Sequence, residues 1–333
     1  MIFIVMILKM LDEINNYVHG GNQLKRVKEK KKKRRWLRYT MIILGVLLIG
    51  ICGYLYSIYH SLTNAVDSMH QPIRETSEKR QETVTLEKKD PFSVLLLGVD
   101  QRKNDRGRSD TMIVMTVNPK TESIEMVSIP RDTRTEIVGR GTMDKINHAY
   151  AFGGVEMSID TVEHFLDIPI DYFIQINMEG FQEIVDAVGG ITIENDFDFT
   201  YEGVHFPKGT ITLNGEKALK YSRMRYDDPK GDFGRQLRQR KIIEAVIREG
   251  ASLKSLTNYG DIFSALGNNV KTNLTFDEMV DIQANYRQAA NKIKQQQING
   301  TGTKIDGIYY YQVPEEERQA ISNLLKNQLE IAS

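Results

Sequence analysis

Apolar residues form one long run near the N-terminus of the chain and many short runs after it. The long run covers residues 39–59, which are 21 residues without a charge, and about 20 apolar residues are enough for a helix to cross a bilayer. The short runs begin with FSVLLLG at 92–98, and a continuous apolar run of this length is typical of a buried strand. The pattern predicts one transmembrane helix followed by a folded domain.

Two more short runs, DTMIVMTVN at 110–118 and SIEMVSI at 123–129, are separated by Pro-Lys-Thr-Glu, whose turn chemistry predicts a β-hairpin. Helix-like and strand-like patterns alternate after the hairpin. The predicted helices lie near 154–166, 179–188, 234–249, 276–293 and 315–330, and the predicted strands near 172–177, 191–194 and 308–313. Strands interleaved with helices indicate an α/β fold in which helices cover a sheet, within a single domain.

Changes in composition divide the 333 residues into four segments. We expect a basic cytoplasmic segment at 1–38, the transmembrane helix at 39–59, a polar stalk at 60–90 and the folded domain at 91–333. Residues 1–38 hold 11 Lys/Arg and 3 Asp/Glu, a net charge of +8, and the rest of the chain has a net charge of −8. Because excess positive charge stays on the cytoplasmic side, the N-terminus is predicted to lie in the cytoplasm and the domain on the outer side of the membrane.

Composition and missing motifs exclude several kinds of protein. A cleaved signal peptide, the alternative to an anchor, would have a shorter apolar core and an Ala-x-Ala site, and no such site follows before Pro72. The acidic balance of the rest of the chain argues against a general nucleic-acid binder. The single cysteine, Cys52, lies in the apolar run, which rules out an intrachain disulfide and thiolate chemistry in the domain. The chain also lacks the G-x-x-x-x-G-K-[ST], G-x-G-x-x-G, H-E-x-x-H and G-x-S-x-G motifs.

The predicted hairpin brings charged residues to one end of the sheet. If Asn118 faces Ser123, Asp110 stands opposite Arg131, and opposite residues of an antiparallel pair have Cβ atoms about 5 Å apart. The charged residues gathered at that end are Arg108, Asp110, Arg131 and Asp132. Asp100 and Arg102 leave the end of the first strand, and they reach the same edge if that strand runs beside 123–129 in parallel.

A second group of charged residues lies at 221–240. Arg223 and Arg225 are two apart, so they share a face if the chain is extended there. Asp232 is a plausible N-cap, and the helix that follows has Arg235, Arg238 and Gln239 on one face. Arginine side chains suit bidentate phosphate binding, and a helix start adds backbone N–H groups that favour anions.

Plainer interpretations of these groups stay open at this point. The arginines could be solvated or could pair with Asp227 and Asp228, and the apolar faces could be ordinary core. Asp100 and Asp110 are hard oxygen ligands that suit Mg²⁺, although two aspartates ten residues apart are weak evidence alone. We interpret His148 as structural rather than as a catalytic base.

Five strings in order resemble the LytR-CpsA-Psr family of Gram-positive bacteria over about residues 90–250, and the N-terminal anchor fits this family too. The strings are LLLGVD (95–100), RSDTM (108–112), SIPRDT (128–133), KINHAY (145–150) and YSRMRYDDPKGDFGRQLRQR (221–240). Within the family the chain looks most like the members that attach wall teichoic acid. The resemblance implies a single α-β-α sandwich domain with a mixed central sheet and a hydrophobic pocket for a polyprenyl chain.

The resemblance also implies a reaction. An anionic glycopolymer would move from an undecaprenyl-pyrophosphate carrier to the C6 hydroxyl of N-acetylmuramic acid in peptidoglycan, with Mg²⁺ or Mn²⁺ held by Asp100 and Asp110. The residues expected to line the pyrophosphate and head-group site are Arg102, Arg108, Arg131, Arg223, Arg225, Arg235 and Gln239, to which the helix face adds Arg238. The candidate catalytic residues are Arg131, Asp132 and Asp232.

The expected mechanism rests on positioning and charge neutralisation. The muramic acid hydroxyl attacks the sugar-side phosphorus, lipid monophosphate departs, and Asp132 or Asp232 accepts the proton if a side chain does so. Two other functions remain as alternatives. One is a non-catalytic envelope regulator that binds lipid-linked polymer, and the other is a lipid pyrophosphatase that uses water as the acceptor.

Overall fold

The computed structural model describes residues 25–73, 77–80, 82–100, 107–251, 267 and 269–331. Residues 1–24, which belong to the expected cytoplasmic segment, and Arg102, an expected site residue, lie outside the described part of the chain. The chain divides into two compact units, Met1–Tyr59 and His60–Ser333.

The first unit contains most of a long helix, α1 (Lys25–Met69). Within it, Trp36–Tyr54 is long and apolar enough to cross a membrane. Its large apolar side chains are exposed, and Leu48 and Ile49 show 62% and 73% of their surface. An exposed apolar surface of this extent marks a contact with lipid or protein. The helix is therefore consistent with a single-pass membrane anchor.

The second unit is built of short strands and helices. The strands are β1 (Phe92–Asp100), β2 (Arg108–Asn118), β3 (Ser123–Ser128), β4 (Arg134–Ile137), β5 (Thr142–Lys145), β6 (Tyr172–Ile176), β7 (Ile191–Asn195), β8 (Phe199–Tyr201), β9 (Val204–Phe206), β10 (Gly209–Leu213), β11 (Val270–Thr272), β12 (Ile293–Gln297), β13 (Thr301–Ile305) and β14 (Ile308–Gln312). The helices are α2 (His148–Leu166), α3 (Met178–Ala187), α4 (Gly215–Arg223), α5 (Asp232–Gly250), α6 (Phe276–Tyr286) and α7 (Glu315–Leu329), with 3₁₀ turns at Leu86–Lys88 and Arg287–Asn291.

Six of these strands form a mixed central sheet in the order β11-β6-β1-β2-β3-β12. Apolar residues of β1, β2 and β3 that face one side, such as Leu95 and Val114, pack with α2 and α7. Those that face the other side, such as Leu96 and Ile113, pack with α6 and the partly buried apolar residues of α5. Successive side chains of a strand point to opposite faces of the sheet, so the apolar residues of these strands contribute to two cores, one on each face. The expected α-β-α sandwich with a mixed sheet is confirmed.

The predicted hairpin is confirmed together with its register. β2 and β3 are antiparallel, with pairs running from Asn118–Ser123 to Ile113–Ser128. The arrangement considered for the first strand, in which it runs directly beside 123–129, is not the one found, because β1 pairs antiparallel with β2 and parallel with β6. β1 and β3 nevertheless run in the same direction on either side of β2. The end of β1, the start of β2 and the end of β3 therefore share one edge of the sheet.

Two predicted segments differ from the structure. The helix expected at 276–293 ends at Tyr286, and the chain passes through a 3₁₀ turn into β12, which pairs with β3. Of the segment 60–90, expected as a polar stalk, the part up to Met69 continues α1, and Val66 and Met69 are buried against Val270. Leu86 is buried in the core beside α6. This segment therefore packs in part on the domain.

Candidate active site

A pocket of about 160 Å³ opens between the central sheet and α5. The lining residues of β1 are Leu96, Gly98, Val99 and Asp100, and those of α5 are Arg235, Gln239 and Ile243. Leu96 and Gly98 follow the two-residue period of a strand, and the α5 residues follow the four-residue step of a helix face. The β1–β2 register shifts between Gly98 and Val99, and consecutive residues line the pocket from there to Asp100.

The pocket has a polar end and an apolar end. Leu96 and Asp100 lie about 13 Å apart along a strand, and Ile243 and Arg235 lie about 12 Å apart along a helix. Both walls thus change from apolar to charged over the same length. Further apolar walls come from the β6–α3 segment and from α4, with Ile176, Met178, Phe181 and Leu219. These apolar side chains line the pocket, and some of them, such as Ile176 and Phe181, also pack against the neighbouring cores.

Asp110 and Arg131 form an ion pair at the polar end. Arg131 Nη1 donates a hydrogen bond to Asp110 Oδ1 at 2.8 Å, and the two side chains are 23% and 40% exposed. Burial lowers the pKa of Arg131, but the hydrogen bond to Asp110 and the charges of Asp110, Asp132 and Asp232 together raise the pKa above its ordinary value. Arg131 therefore stays cationic and, since it is partly exposed, remains accessible to an anion.

Asp232 joins two further arginines at the start of α5. Its Oδ1 lies 2.7 Å from Arg235 Nη2 and 3.5 Å from Arg225 Nε. The N-cap of α5 is Gly231, so the prediction of Asp232 as N-cap is wrong. Asp232 instead occupies the first turn, where a carboxylate interacts favourably with the helix dipole.

The two charged groups predicted from distant parts of the sequence meet at the polar end. Asp110 and Arg235 line the same pocket. Burial lowers the pKa of Arg235, and the positive charges of Arg131 and Arg225 lower it further, against the opposing effects of Asp232 and Asp110. Several cations thus lie close together with only partial compensation, and such a group favours binding of an anion.

Arg223 and Arg225 contribute in a different way from that predicted. Arg223 is the last residue of α4, and the chain leaves the helix at Met224, so the two arginines do not lie on one extended segment. Arg223 lines the pocket and contacts Sδ of Met178. Arg225 lies outside the pocket lining, beside Asp232.

Arg238 does not face the pocket with Arg235 and Gln239, contrary to the prediction. Its guanidinium is buried, donating to the carbonyl oxygens of Tyr221 (3.0 Å) and Met224 and to the Asp228 carboxylate. It therefore fixes the loop between α4 and α5.

Asp100, Arg108 and Asp132 lie around the same edge. Asp100 lines the pocket and is paired in the sheet with Arg108, which is exposed. Asp132 Oδ2 lies 3.8 Å from Arg131 Nε, and its Oδ1 lies 2.7 Å from Lys145 Nζ. The described site residues, apart from Arg238, thus surround or adjoin the polar end.

A match to the model of the LytR_cpsA_psr family covers residues 56–327. The chain belongs to the LytR-CpsA-Psr family. It is 55% identical over 303 residues to a Bacillus subtilis (strain 168) member, polyisoprenyl-teichoic acid–peptidoglycan teichoic acid transferase TagU, with 91% of this chain and 99% of TagU covered. A Bacillus licheniformis TagU is 54% identical, with 90% and 98% covered.

Solved structures of LytR-CpsA-Psr proteins share the fold. The crystal structure of B. subtilis TagU is 56% identical and covers 74% of this chain and 99% of its own, with a TM-score of 0.61. The structure of TagT bound to LIIa-WTA is 33% identical and covers 77% and 97%, with a TM-score of 0.67.

Two aspartates of this LytR-CpsA-Psr protein could bind a metal ion if a ligand's phosphate groups supplied further oxygen donors. Among the described residues, no three His, Cys, Asp or Glu side chains are grouped so that they could hold a metal ion. Asp100 and Asp110 nevertheless line one pocket. Because Mg²⁺ is commonly held by one or two carboxylates plus substrate phosphates, this donor set fits Mg²⁺.

Several pocket residues escaped prediction from the sequence. They are Asn177, Met178, Phe181, Leu219 and Ser222. The signal available was the helical pattern at 179–188, since Met178 and Phe181 are three residues apart on α3. α4 itself was not predicted.

Proposed function

We propose that this protein is a membrane-anchored phosphotransferase that moves an anionic glycopolymer of the wall teichoic acid type from undecaprenyl pyrophosphate to peptidoglycan. The observation that carries the proposal is the pocket in which an apolar end adjoins a polar end lined by Asp100, Asp110 and Arg235. A lipid pyrophosphate has the same two parts. The names of the TagU relatives and the TagT complex with LIIa-WTA support the donor and acceptor classes.

In the proposed reaction, the C6 hydroxyl oxygen of N-acetylmuramic acid attacks the sugar-side phosphorus of the donor. The bond from that phosphorus to the bridging oxygen breaks, and the lipid leaves as its monophosphate. Such transfers depend mainly on positioning and on neutralising the negative charge that spreads over the phosphoryl oxygens.

The cations at the polar end supply that neutralisation. Arg131 is the proposed catalytic residue, because it is cationic, partly exposed and bonded to the pocket residue Asp110. Arg235, Arg223 and Gln239 line the pocket and would hold the pyrophosphate. Asp132 and Asp232 are the two candidate acceptors for the hydroxyl proton, and each also fixes cations of the site.

Mg²⁺, or Mn²⁺ in its place, is the proposed cofactor, and Asp100 and Asp110 would hold it. When bound, the metal would neutralise charge on the phosphate oxygens. The proposed topology has the N-terminus in the cytoplasm and the domain outside the membrane, because the basic residues precede the apolar run.

A transfer assay with a lipid-pyrophosphate donor and peptidoglycan as the acceptor tests the proposal, with Arg131→Ala as the variant. The Asp110–Arg131 pair is partly exposed, so its loss should cost at most about 1 kcal/mol of folding free energy. Loss of one preorganised charge at the reacting phosphate should slow transfer by roughly 100- to 1,000-fold.

Each outcome of the assay has a distinct meaning. Joined product from the wild type, nearly lost in a folded Arg131→Ala, supports the proposal. Released phosphate without joining would indicate a pyrophosphatase, and donor binding without turnover would indicate a regulator. Transfer by Arg131→Ala near the wild-type rate would show that Arg131 is not the catalytic residue.

A further inference from the structure

We propose that a row of five side chains leading away from Arg131 binds the acceptor glycan, and we call this row the acceptor track. Its members are Lys145, Asp144, His148, Phe152 and Arg140. This inference rests on the proposed function and adds to it the surface on which the acceptor lies.

The acceptor track is a chain of neighbouring residues that begins beside Asp132, the residue after Arg131. Lys145 Nζ lies 2.7 Å from Asp132 Oδ1, and the next residue back, Asp144, has its Oδ2 2.8 Å from His148 Nδ1. The rings of His148 and Phe152 are 6.0 Å apart, and the Arg140 guanidinium lies 4.0 Å over the Phe152 ring.

The track is attached to the segment that carries Arg131. The backbone N–H of Ile146 donates to the carbonyl oxygen of Thr133 at 2.8 Å, and that of Asn147 donates to the carbonyl oxygen of Arg131 at 3.3 Å. The main chain between Lys145 and His148 is thereby held beside Arg131. A ligand on the track would therefore have a fixed position relative to the reacting phosphorus.

Most of the five side chains of the track are partly covered, whereas Arg140 at its far end is exposed. Lys145, Asp144 and His148 are 19%, 25% and 23% exposed. Partly covered polar groups with ordered partners can bind a ligand at a low cost in side-chain entropy. An unoccupied surface of flexible, fully solvated charges would not have this property.

The direction of the reaction places the acceptor on this side. In a phosphoryl transfer the attacking and leaving oxygens lie roughly in line with the phosphorus. The lipid leaving group belongs in the apolar end of the pocket, so the hydroxyl must enter from outside the polar end. Arg131 lies there, bonded to Asp110 but not itself a lining residue of the pocket, and the track begins beside it.

The track offers hydrogen-bond donors and acceptors side by side. Lys145 and Arg140 are matched by Asp144 and the adjoining Asp132, and Arg134, which stands opposite Lys145 on β4, adds a further cation. A glycan with hydroxyl and N-acyl amide groups needs both donors and acceptors, and aromatic rings supply the apolar surface typical of such sites.

The test uses the full-length chain in detergent and measures two affinities and two KM values. Glycan oligomers cut from uncrosslinked peptidoglycan are titrated by calorimetry, and the lipid-pyrophosphate donor is titrated separately. Asp144→Asn keeps the shape of the side chain but removes its charge, and Arg140→Ala removes the exposed cation at the far end. Each change should raise the acceptor Kd and the acceptor KM by roughly tenfold, because a hydrogen bond to a charged group is lost. The donor Kd and KM should stay within about twofold of the wild type.

Arg248→Ala is the matched control. Arg248 is 56% exposed, pairs with Glu244, and lies about 20 Å from Arg235 along α5, so all four values should remain unchanged. Acceptor affinity within twofold of the wild type in both track variants would overturn the track, and so would a rise in donor Kd equal to the rise in acceptor Kd. If the wild type binds glycan oligomers but transfers nothing to them, the proposed function fails while the track stands. If the wild type transfers polymer and the track variants keep the wild-type acceptor Kd and KM, the track fails while the proposed function stands.

Discussion

Arg235 and Arg238 lie three residues apart on α5, and their replacement by alanine should damage different properties of the protein. Arg235 lines the pocket beside Asp232. Arg238 is turned into the protein, where it bonds Asp228 and two carbonyl oxygens. We therefore expect Arg235→Ala to damage donor binding and Arg238→Ala to damage the stability of the domain.

The size of each effect follows from burial. The side chains of Arg238 and Asp228 are 4% and 2% exposed. Removal of one partner of a buried ion pair costs roughly 3–5 kcal/mol, and each stranded carbonyl oxygen adds about 1 kcal/mol. The total is roughly 5–7 kcal/mol. For a domain of this size 1 kcal/mol corresponds to about 2–4 °C, so Arg238→Ala should lower Tm by roughly 10–30 °C.

Arg235→Ala should lower Tm by only a few degrees. Arg235 and Asp232 are 14% and 24% exposed, and partly solvated pairs contribute about 1 kcal/mol or less. The loss of a charge-assisted contact to the pyrophosphate should weaken donor affinity by roughly 10- to 100-fold. At temperatures where Arg238→Ala is folded, its donor affinity should fall less than tenfold.

Thermal unfolding and donor titration of the two variants, measured side by side, decide between the roles. If Arg238→Ala melts within about 4 °C of the wild type but loses donor affinity as Arg235→Ala does, Arg238 contacts the donor. The assignment of Arg238 to loop fixation would then be refuted, and the grouping of both arginines on one binding face, expected from the sequence, would be correct.

Three further predictions concern the loop, an ion pair and the cofactor. Gly234→Ala would place a Cβ 1.9 Å from Asp228 Oδ2, so it should destabilise the domain by about 1–3 kcal/mol. Gly250→Ala, whose Cβ would have nothing within 4 Å, should leave the stability unchanged. Equal Tm values for the two variants would contradict this expectation. The hydrogen bonds from Lys326 and Lys79 hold the pKa of Asp167 at about 2, below its ordinary 3.8. A carboxylate with a depressed pKa stabilises the fold above about pH 4, and this contribution is lost as pH falls towards 2. The Tm difference between wild type and Asp167→Asn should therefore shrink over that range. A Tm difference that stays constant with pH would show that the ion pairs of Asp167 do not stabilise the fold. Removal of divalent cations with EDTA should suppress transfer, and Mg²⁺ should restore it; undiminished transfer in EDTA would rule out the proposed metal.

The hairpin could be predicted to the residue because its turn and its apolar runs are contiguous in sequence. Asn118 and Ser123 flank a four-residue separator, and one pairing then sets every other pair. This register alone placed Asp110 near Arg131. The neighbour of β1 could not be fixed in the same way, because a short apolar strand is compatible with several positions in a sheet.

The missed elements lack local signals of their own. β12 reads IKQQQ, which carries one apolar residue, and it is a strand because β3 offers it a parallel partner. The pocket was likewise out of reach, since its walls come from β1, β2, β6, α3, α4 and α5, which meet only in the folded domain. Tertiary pairing rather than local propensity decides such features.

The arginines of α5 show where periodicity stops being informative. A residue four positions on is rotated by about 40° from the first, and one three positions on by about 60° in the opposite sense. Gln239 and Arg238 therefore flank the direction of Arg235 on its two sides, and either could have faced the pocket. The loop decides between them, because Asp228 and the carbonyl oxygens of Tyr221 and Met224 offer acceptors on the side of Arg238 only. A spacing rule can thus name a helix face, but the partners across from it determine which arginine binds the substrate and which one holds the protein together.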